Sequence, residues 1–250
     1  MLGLEGLDKD AALIGSAGKK STPSGDLDIA VSVDRVAGNN GISMKEALGF
    51  LDMMLKGAGY STSVAFGFQQ VSFACPIEGN KKNGYCQADL MLSDSLEWAK
   101  FVYYSPDLNK AESKYGGAYR TIMLMSIASL CEREATKVLD TGEIEEYESL
   151  VMRLNQGIVK VRKSYKGKKG LLKTPKLMRQ FDKFVSNVPE EVTEYLFGEG
   201  TKVSDIDTFE KIYALLLSPS FPHQDKVDDI LEKYEGALNR AGIPLPSELN

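Results

Sequence analysis

Two aspartates alternate with apolar residues in one short segment, and this alternation constrains the fold more than any other feature. Asp26 and Asp28 flank Leu27, and the alternation continues to Ile29 and Val31. Side chains two residues apart on a β-strand lie on the same face, roughly 6–7 Å from each other. A strand at this position therefore places both carboxylates on one face and the apolar side chains on the other.

Paired carboxylates on one strand face are suited to binding hard cations. Oxygen ligands from such a pair can be shared by two cations about 3.5–4 Å apart. We expect a third carboxylate from a neighbouring strand, and Asp89 is the candidate because it lies between Ala88 and Leu90 in a second apolar segment. The sequence thus predicts that the three acids converge on one sheet face.

The residues before the aspartates complete a longer pattern. A short apolar strand ends in Gly15-Ser16, and a gap from Ala17 to Gly25 precedes the acid-apolar-acid segment. This arrangement, with a further acid on a later strand, resembles the DNA polymerase β-like nucleotidyltransferase superfamily. The resemblance covers residues 13–92. A surface turn with solvated aspartates before an edge strand is the alternative interpretation.

The resemblance implies a chemistry for the three acids. Asp26, Asp28 and Asp89 would be the catalytic and metal-binding residues, with a pair of Mg²⁺ ions as cofactor and Mn²⁺ as a possible substitute. Asp26 and Asp28 would bridge the ions, and Asp89 would complete the site and accept a proton from the attacking hydroxyl. The absence of His and Cys next to these aspartates agrees with the preference of Mg²⁺ for oxygen ligands.

The resemblance also implies residues that bind the NTP substrate. Glycine allows the backbone to approach phosphates closely, and a serine hydroxyl donates a hydrogen bond to them. For the lysine of the following loop, simple solvation is an equal alternative. For the residues near the start of the second domain, a capped helix start with aromatic packing is an equal alternative. The nucleotide-binding candidates are Gly15, Ser16, Lys19, Lys114, Tyr115 and Arg120.

Composition excludes several classes of protein. The chain of 250 residues has a formal net charge of −5, which argues against a wholly basic nucleic-acid coat. No apolar run is long enough for a transmembrane helix, and the N-terminus lacks the pattern of a secretory signal. Three cysteines without a Cys-x-x-Cys pair favour free thiols and a cytoplasmic location.

We predict an α+β fold with two domains. A nucleotidyltransferase domain over residues 1–110 contains a small mixed β-sheet with packed helices, and an all-helical domain covers residues 111–250. Within the first domain, residues 62–74 and 85–92 are predicted strands joined by a turn. Ser43 and Glu46 form a predicted capping box at the start of a helix.

In the predicted helical domain, residues 113–137 and 143–163 have helical patterns. Asp205 and Asp207 repeat the acid-apolar-acid spacing at the start of another helical pattern. Residues two apart on a helix point in nearly opposite directions, so we do not assign a second site there.

A basic segment over residues 160–179 suggests the acceptor. It contains no acid, and Tyr165 and glycines are interleaved with its lysines and arginines. Such a run suits a phosphate backbone, whereas the alternative is a solvated loop that balances nearby glutamates. The nucleic-acid-binding candidates are Lys163, Lys166, Lys168 and Lys169.

The resulting hypothesis is a nucleotidyltransferase that moves a nucleoside monophosphate from an NTP to a hydroxyl, releasing pyrophosphate. An RNA 3′ end, as in tRNA- or poly(A)-type relatives, is the leading acceptor. A small-molecule hydroxyl or a protein side chain is the second. An inactive binding module with the same fold is the third interpretation.

Overall fold

The computed structural model describes residues 13–15, 26–37, 42–106, 113–132, 134–138, 144–166 and 176–249. Packing divides the chain into two units. Unit 1 contains Met1–Ala118 together with Leu154–Gln156, and unit 2 contains Tyr119–Arg153 and Gly157–Asn250. The division thus falls after Ala118, whereas the predicted boundary lies at residue 110.

Unit 1 contains a four-stranded mixed sheet. Its strands are β1 (Asp26–Ser32), β2 (Thr62–Ala65), β3 (Gln70–Pro76) and β4 (Tyr85–Ser93), in the order β1-β4-β3-β2. β1 and β4 are parallel, and the other two pairs are antiparallel. The predicted α+β class with a small mixed sheet is confirmed.

In the described part of unit 1, three helices accompany this sheet. They are α1 (Val33–Ala37), α2 (Met44–Gly57) and α3 (Leu96–Val102). The predicted capping box is confirmed, since the Ser43 side chain accepts from the Glu46 amide and the Glu46 carboxylate accepts from the Ser43 amide. This box satisfies amide groups that the first helical turn leaves without partners.

α2 covers the sheet face opposite to the aspartates. Its buried residues Leu48, Leu51 and Leu55 pack with Val31 and Leu90 in one apolar core. Because side chains alternate along β1 and β4, this packing leaves Asp28 and Asp89 on the other face. The core thereby fixes which way the acids point.

The predicted strand over residues 62–74 is two strands. A turn at residues 66–69 separates β2 from β3, and Gln69 adopts a φ of 55° there. Gly67, between two phenylalanines, is the sequence signal for this turn.

The prediction that the second domain is all-helical is wrong. Unit 2 contains an antiparallel sheet in the order β5-β6-β7-β8, formed by Glu134–Val138, Ile144–Arg153, Gly157–Lys166 and Lys176–Ser186. The predicted helix over 113–137 ends at Cys131, and the predicted helix over 143–163 is the β6–β7 hairpin. Glutamates and lysines gave that segment a helical composition.

In β7, buried and charged residues alternate with a period of two, which is typical of a strand and not of the predicted helix over residues 143–163. Val159 and Val161 are buried, and Lys160 and Arg162 alternate with them. β-Branched residues at this spacing are typical of a strand. Gly157, after the hairpin turn, has a φ of +119°, and a Cβ there would lie 2.3 Å from the carbonyl oxygen of Ser186. The alternation and the glycine were both visible in the sequence.

Helices complete unit 2. They are α4 (Gly117–Cys131, which begins just before the division), α5 (Pro189–Phe197), α6 (Phe209–Leu216) and α7 (Val227–Ala241). Phe209 of α6 and Tyr234 of α7 are fully buried and stack with their ring centroids 5.6 Å apart. Among the described residues, no helix combines the length and apolar character needed to cross a membrane.

Candidate metal centre

The parallel pairing of β1 and β4 brings the three aspartates together. Asp28 lies directly beside Asp89 in the register, and Asp26 lies beside Gln87. One carboxylate oxygen from each of Asp26, Asp28 and Asp89 lies within 4.8 Å of the others. Within the described ranges, this is the only group of three or more acidic, His or Cys side chains close enough to share an ion.

Apolar packing partly encloses this face of the sheet. Ile14, Ala30 and Ala99 are buried in one cluster, and Tyr103 packs against it. Ala30 follows Asp28 by two residues on β1, so the cluster covers the same face immediately beyond the aspartates. Asp89 is only 5% exposed. The carboxylates of Asp28 and Asp89 therefore lie at the edge of a packed region, whereas the side chain of Asp26 is more exposed.

Burial and mutual repulsion alter the ionisation of Asp28. Its pKa is raised from 3.8 to about 6, mainly by burial and further by the negative charges of Asp26 and Asp89. Both causes disfavour the charged form. A cation among these oxygens would offset the repulsion, which is the electrostatic situation expected of a metal centre.

Tyr103 is a half-buried residue whose phenol is influenced by the charge of Asp28. Burial, followed by the negative charge of Asp28, raises the pKa of Tyr103 to about 12. Its phenol is therefore neutral at physiological pH. The Tyr103 carbonyl accepts a hydrogen bond from the Gly15 amide, with the two atoms 3.2 Å apart.

Gly15 fits tightly against Asp28. Its φ is +68°, and a Cβ at this position would lie 2.2 Å from Oδ2 of Asp28. The neighbouring Ile14 amide donates to the Asp28 carbonyl at 3.1 Å. Any side chain at position 15 would displace the carboxylate, so the glycine is required by the geometry of the acids themselves.

Comparison of the chain with protein-family profiles, curated proteins and solved structures found no match. The interpretation of the site consequently rests on its own geometry.

The remaining nucleotide-binding candidates are only partly described. Ser16 and Lys19 lie outside the described residues. Lys114 is exposed and Tyr115 is half-buried, in a turn where the Ser113 hydroxyl accepts from the Tyr115 amide at 2.9 Å.

Arg120 has a structural environment. It is 1% exposed, and its Nε donates to the carbonyl of Ile206 at 2.7 Å. This placement in the interior of unit 2 favours a packing role over a nucleotide contact.

The nucleic-acid-binding candidates are only partly described. Lys168 and Lys169 lie outside the described residues, as does the side chain of Lys166. Lys163 is half-buried, and its positive charge helps to lower the pKa of Asp182.

The first basic residues of the segment are paired with acids. Lys160 lies 2.8 Å from Glu132 and 3.6 Å from Glu148, and Arg162 lies 3.0 Å from Glu148. In this part of β7, the positive charge is balanced locally. The described part of the basic segment therefore favours the charge-balancing alternative.

The second acid-apolar-acid pair does not form a comparable centre. An oxygen of Asp205 accepts from the Lys202 amide at 2.9 Å, and Asp207 pairs with Lys211 of α6 at 2.8 Å. These contacts stabilise the segment that precedes α6 and link it to the first turn of that helix.

Two residues of the centre were missed in the sequence. Gln87 lies two residues before Asp89 and shares its face, so the period of two contained the signal. Tyr103 had no such signal, because its position near Asp28 depends on how α3, which it directly follows, packs on the sheet.

Proposed function

We propose that this protein is a Mg²⁺-dependent nucleotidyltransferase that moves a nucleoside monophosphate from an NTP to a hydroxyl acceptor. The observation that carries the proposal is the convergence of the Asp26, Asp28 and Asp89 carboxylates within 4.8 Å, with Gly15 packed directly against Asp28. Strand alternation and parallel register produce this arrangement together. The arrangement of the first domain as a nucleotidyltransferase domain is part of the same proposal.

The donor set fits a hard divalent cation. All three groups offer carboxylate oxygens, which suit Mg²⁺ or Mn²⁺. The raised pKa of Asp28, caused first by burial and then by the charges of Asp26 and Asp89, agrees with carboxylates crowded together in a partly buried place. Asp26 and Asp28 would hold the cations jointly, and Asp89 would complete the set. When bound, the cations supply charge stabilisation for the attacking oxygen and the leaving pyrophosphate.

The chain's own groups then have distinct tasks. A carboxylate oxygen of Asp89 accepts the proton of the acceptor hydroxyl, whose oxygen forms a bond to the α-phosphorus as the bond to pyrophosphate breaks. Gly15 presents bare backbone beside the acids, and we assign the phosphates of the NTP to this side with Ser16 and Lys19. Ile14 and Tyr103 limit water around Asp28.

Two acceptor classes compete. An RNA 3′ end is the first, and it depends on the basic residues Lys166, Lys168 and Lys169. A small-molecule hydroxyl or a protein side chain is the second. The ion pairs of Lys160 and Arg162 with Glu148 favour the second class, because they leave less uncompensated positive charge on β7.

Transfer of label from NTPs tests the proposal. The protein is incubated with Mg²⁺ and each NTP labelled at the α-phosphate, in the presence of total RNA, small-molecule extract or protein alone. We expect label in one acceptor class with the wild type and none with Asp26→Asn. Binding of NTP without transfer under every condition would contradict the proposal and support the inactive binding module.

A further inference from the structure

Gln87 occupies a distinctive position beside the three acids. It lies on β4 next to Asp26 in the parallel register, and it shares a strand face with Asp89. Its side-chain amide Nε2 lies 3.1 Å from each carboxylate oxygen of Asp89. One neutral amide group therefore spans both oxygens of the acid.

This contact supplies a hydrogen-bond donor to a buried carboxylate. Asp89 is 5% exposed and lies beside Asp28 in the register. Among the described residues, Gln87 is the only one whose side chain donates a hydrogen bond to the Asp89 carboxylate. A buried carboxylate without a donor is costly, and an unrestrained one rotates about its terminal torsion.

We propose that Gln87 is a positioning residue that holds the Asp89 carboxylate toward Asp26 and Asp28 and so increases the affinity of the centre for divalent cations. The inference rests on the proposed function, since it takes the three acids as cation ligands. An amide suits this role because it donates hydrogen bonds without adding positive charge that would repel the cation. Hydrogen bonds to ligand carboxylates are typically worth about 10–100-fold in metal affinity or activity.

The chain contains a matched control for this contact. Gln180 on β8 donates to Asp182, also two residues away, at 3.0 Å. Asp182 is paired with Arg153 rather than with other acids. Loss of the Gln180 amide therefore removes the same local hydrogen bond without touching the centre.

Two variants of Gln87 separate the amide from the rest of the side chain. Gln87→Met keeps the length and removes the donor. Gln87→Asn keeps the amide but is one methylene shorter and withdraws it from Asp89. Gln87 is exposed, so both variants should fold, which thermal unfolding verifies.

The experiment measures Mn²⁺ binding to the full chain by calorimetry and by the loss of the free-ion electron paramagnetic resonance signal. We expect both Gln87 variants to weaken Mn²⁺ binding about 10–100-fold and Gln180→Met to bind as the wild type does. In transfer assays, the Gln87 variants should require more Mg²⁺ for half-maximal rate and recover most of kcat at saturating Mg²⁺.

The outcomes distinguish this inference from the proposed function. If the wild type binds Mn²⁺ and transfers label while Gln87→Met and Gln87→Asn retain wild-type Mn²⁺ affinity, the positioning role is wrong and the function stands. If the wild type binds no Mn²⁺, the metal centre is wrong and the inference fails with it. An equal loss in Gln180→Met would also overturn the role, since the effect would then not belong to Asp89.

Discussion

At the scale of single residues, Asp28 is where the demands of folding and of chemistry conflict. Its carboxylate lies close to Gly15 and is partly buried beside two other acids. Burial first, and then the negative charges of Asp26 and Asp89, raise its pKa to about 6 and so disfavour the charged form. Such a residue stays charged near neutral pH at the expense of stability. Residues of this kind mark functional sites more often than structural ones.

Replacing Asp28 tests this conflict through pH. Because its pKa in the folded protein is raised from 3.8 to about 6, the stability of the metal-free wild type should fall as pH rises from about 4 to about 6. Asp28→Asn removes this penalty. After a discount for solvent screening, the variant should be more stable by about 1 kcal/mol above that range and equal to the wild type below it. Urea unfolding in EDTA across pH measures the difference.

Asp182 provides a control, because its pKa is lowered whereas that of Asp28 is raised. Burial acts to raise its pKa, but hydrogen bonds from Arg153 and Gln180, together with the positive charges of Arg153 and Lys163, lower it on balance. Asp182→Asn should therefore destabilise the protein at neutral pH, and the effect should diminish as pH falls through the range in which Asp182 is protonated. A pH-independent gain in Asp28→Asn would contradict the explanation given for Asp28.

Gly15 is the second residue with a defined steric requirement. In Gly15→Ala, the new Cβ would meet Asp28 at 2.2 Å, and alanine would be forced into the left-handed region. Left-handed strain alone costs roughly 1–2 kcal/mol, so we expect a loss of at least that size together with loss of transfer. Thermal unfolding and label transfer measure the two effects.

Gly49 supplies the matched control for that variant. It lies in α2, and a Cβ there would meet nothing within 4 Å. Gly49→Ala should leave transfer unchanged and stabilise the protein by about 0.5–1 kcal/mol. Equal behaviour of the two alanine variants would show that Gly15 has no special relation to Asp28.

At the scale of elements, the sequence predicted β1 and β4 well because period-two alternation and burial agree there. The apolar side of both strands packs on α2, so a shift of one residue would bury the acids and expose the core. The same logic identifies the face of Asp89 and would have identified Gln87. The position of Tyr103 near Asp28 was not predictable, because it depends on how α3 packs on the sheet.

The second unit shows where composition misled the prediction. Charged residues with high helix propensity are frequent in β6 and alternate along β7, while the strand signal lies in Val159, Val161 and Gly157. In an antiparallel sheet, long charged side chains can pair across strands, as Arg162 and Glu148 do at 3.0 Å. Tertiary pairing therefore overrode local propensity.

A prediction at this scale concerns Asp205 and Asp207 in the segment that precedes α6. Asp205→Ala and Asp207→Ala should leave Mn²⁺ binding and transfer unchanged, because these acids cap and pair within their own segment. Asp205→Ala removes the hydrogen bond that the Asp205 carboxylate accepts from the Lys202 amide and should cost about 0.5–1.5 kcal/mol in unfolding free energy. Loss of transfer in a folded variant would show that this pair forms part of the site.

At the scale of the whole molecule, the net charge is negative, whereas one segment is strongly basic and would suit an RNA acceptor. The chain carries −5 overall, while residues 160–179 form one basic segment. If that segment holds RNA, each phosphate that it neutralises adds about 0.7–0.9 to the slope of log affinity against log salt.

Replacing Lys166, Lys168 and Lys169 by alanine tests the RNA acceptor. If all three lysines bind phosphates, the triple variant should flatten the salt slope for RNA binding by about two to three units. NTP binding should be spared, because it is assigned to Gly15, Ser16 and Lys19. Binding of a labelled RNA and of an NTP analogue at several salt concentrations gives both values. An unaltered salt slope for RNA binding would contradict the RNA acceptor and favour a small-molecule or protein acceptor.

The most direct test of the metal centre is anomalous diffraction from crystals grown with Mn²⁺ and a non-hydrolysable NTP analogue. We predict anomalous peaks among the carboxylates of Asp26, Asp28 and Asp89, with the triphosphate beside them on the side of Gly15. The same experiment on Asp28→Asn should lose or weaken the peaks. Ordered nucleotide and Mn²⁺ elsewhere on the protein, with these three carboxylates free of metal, would contradict the account.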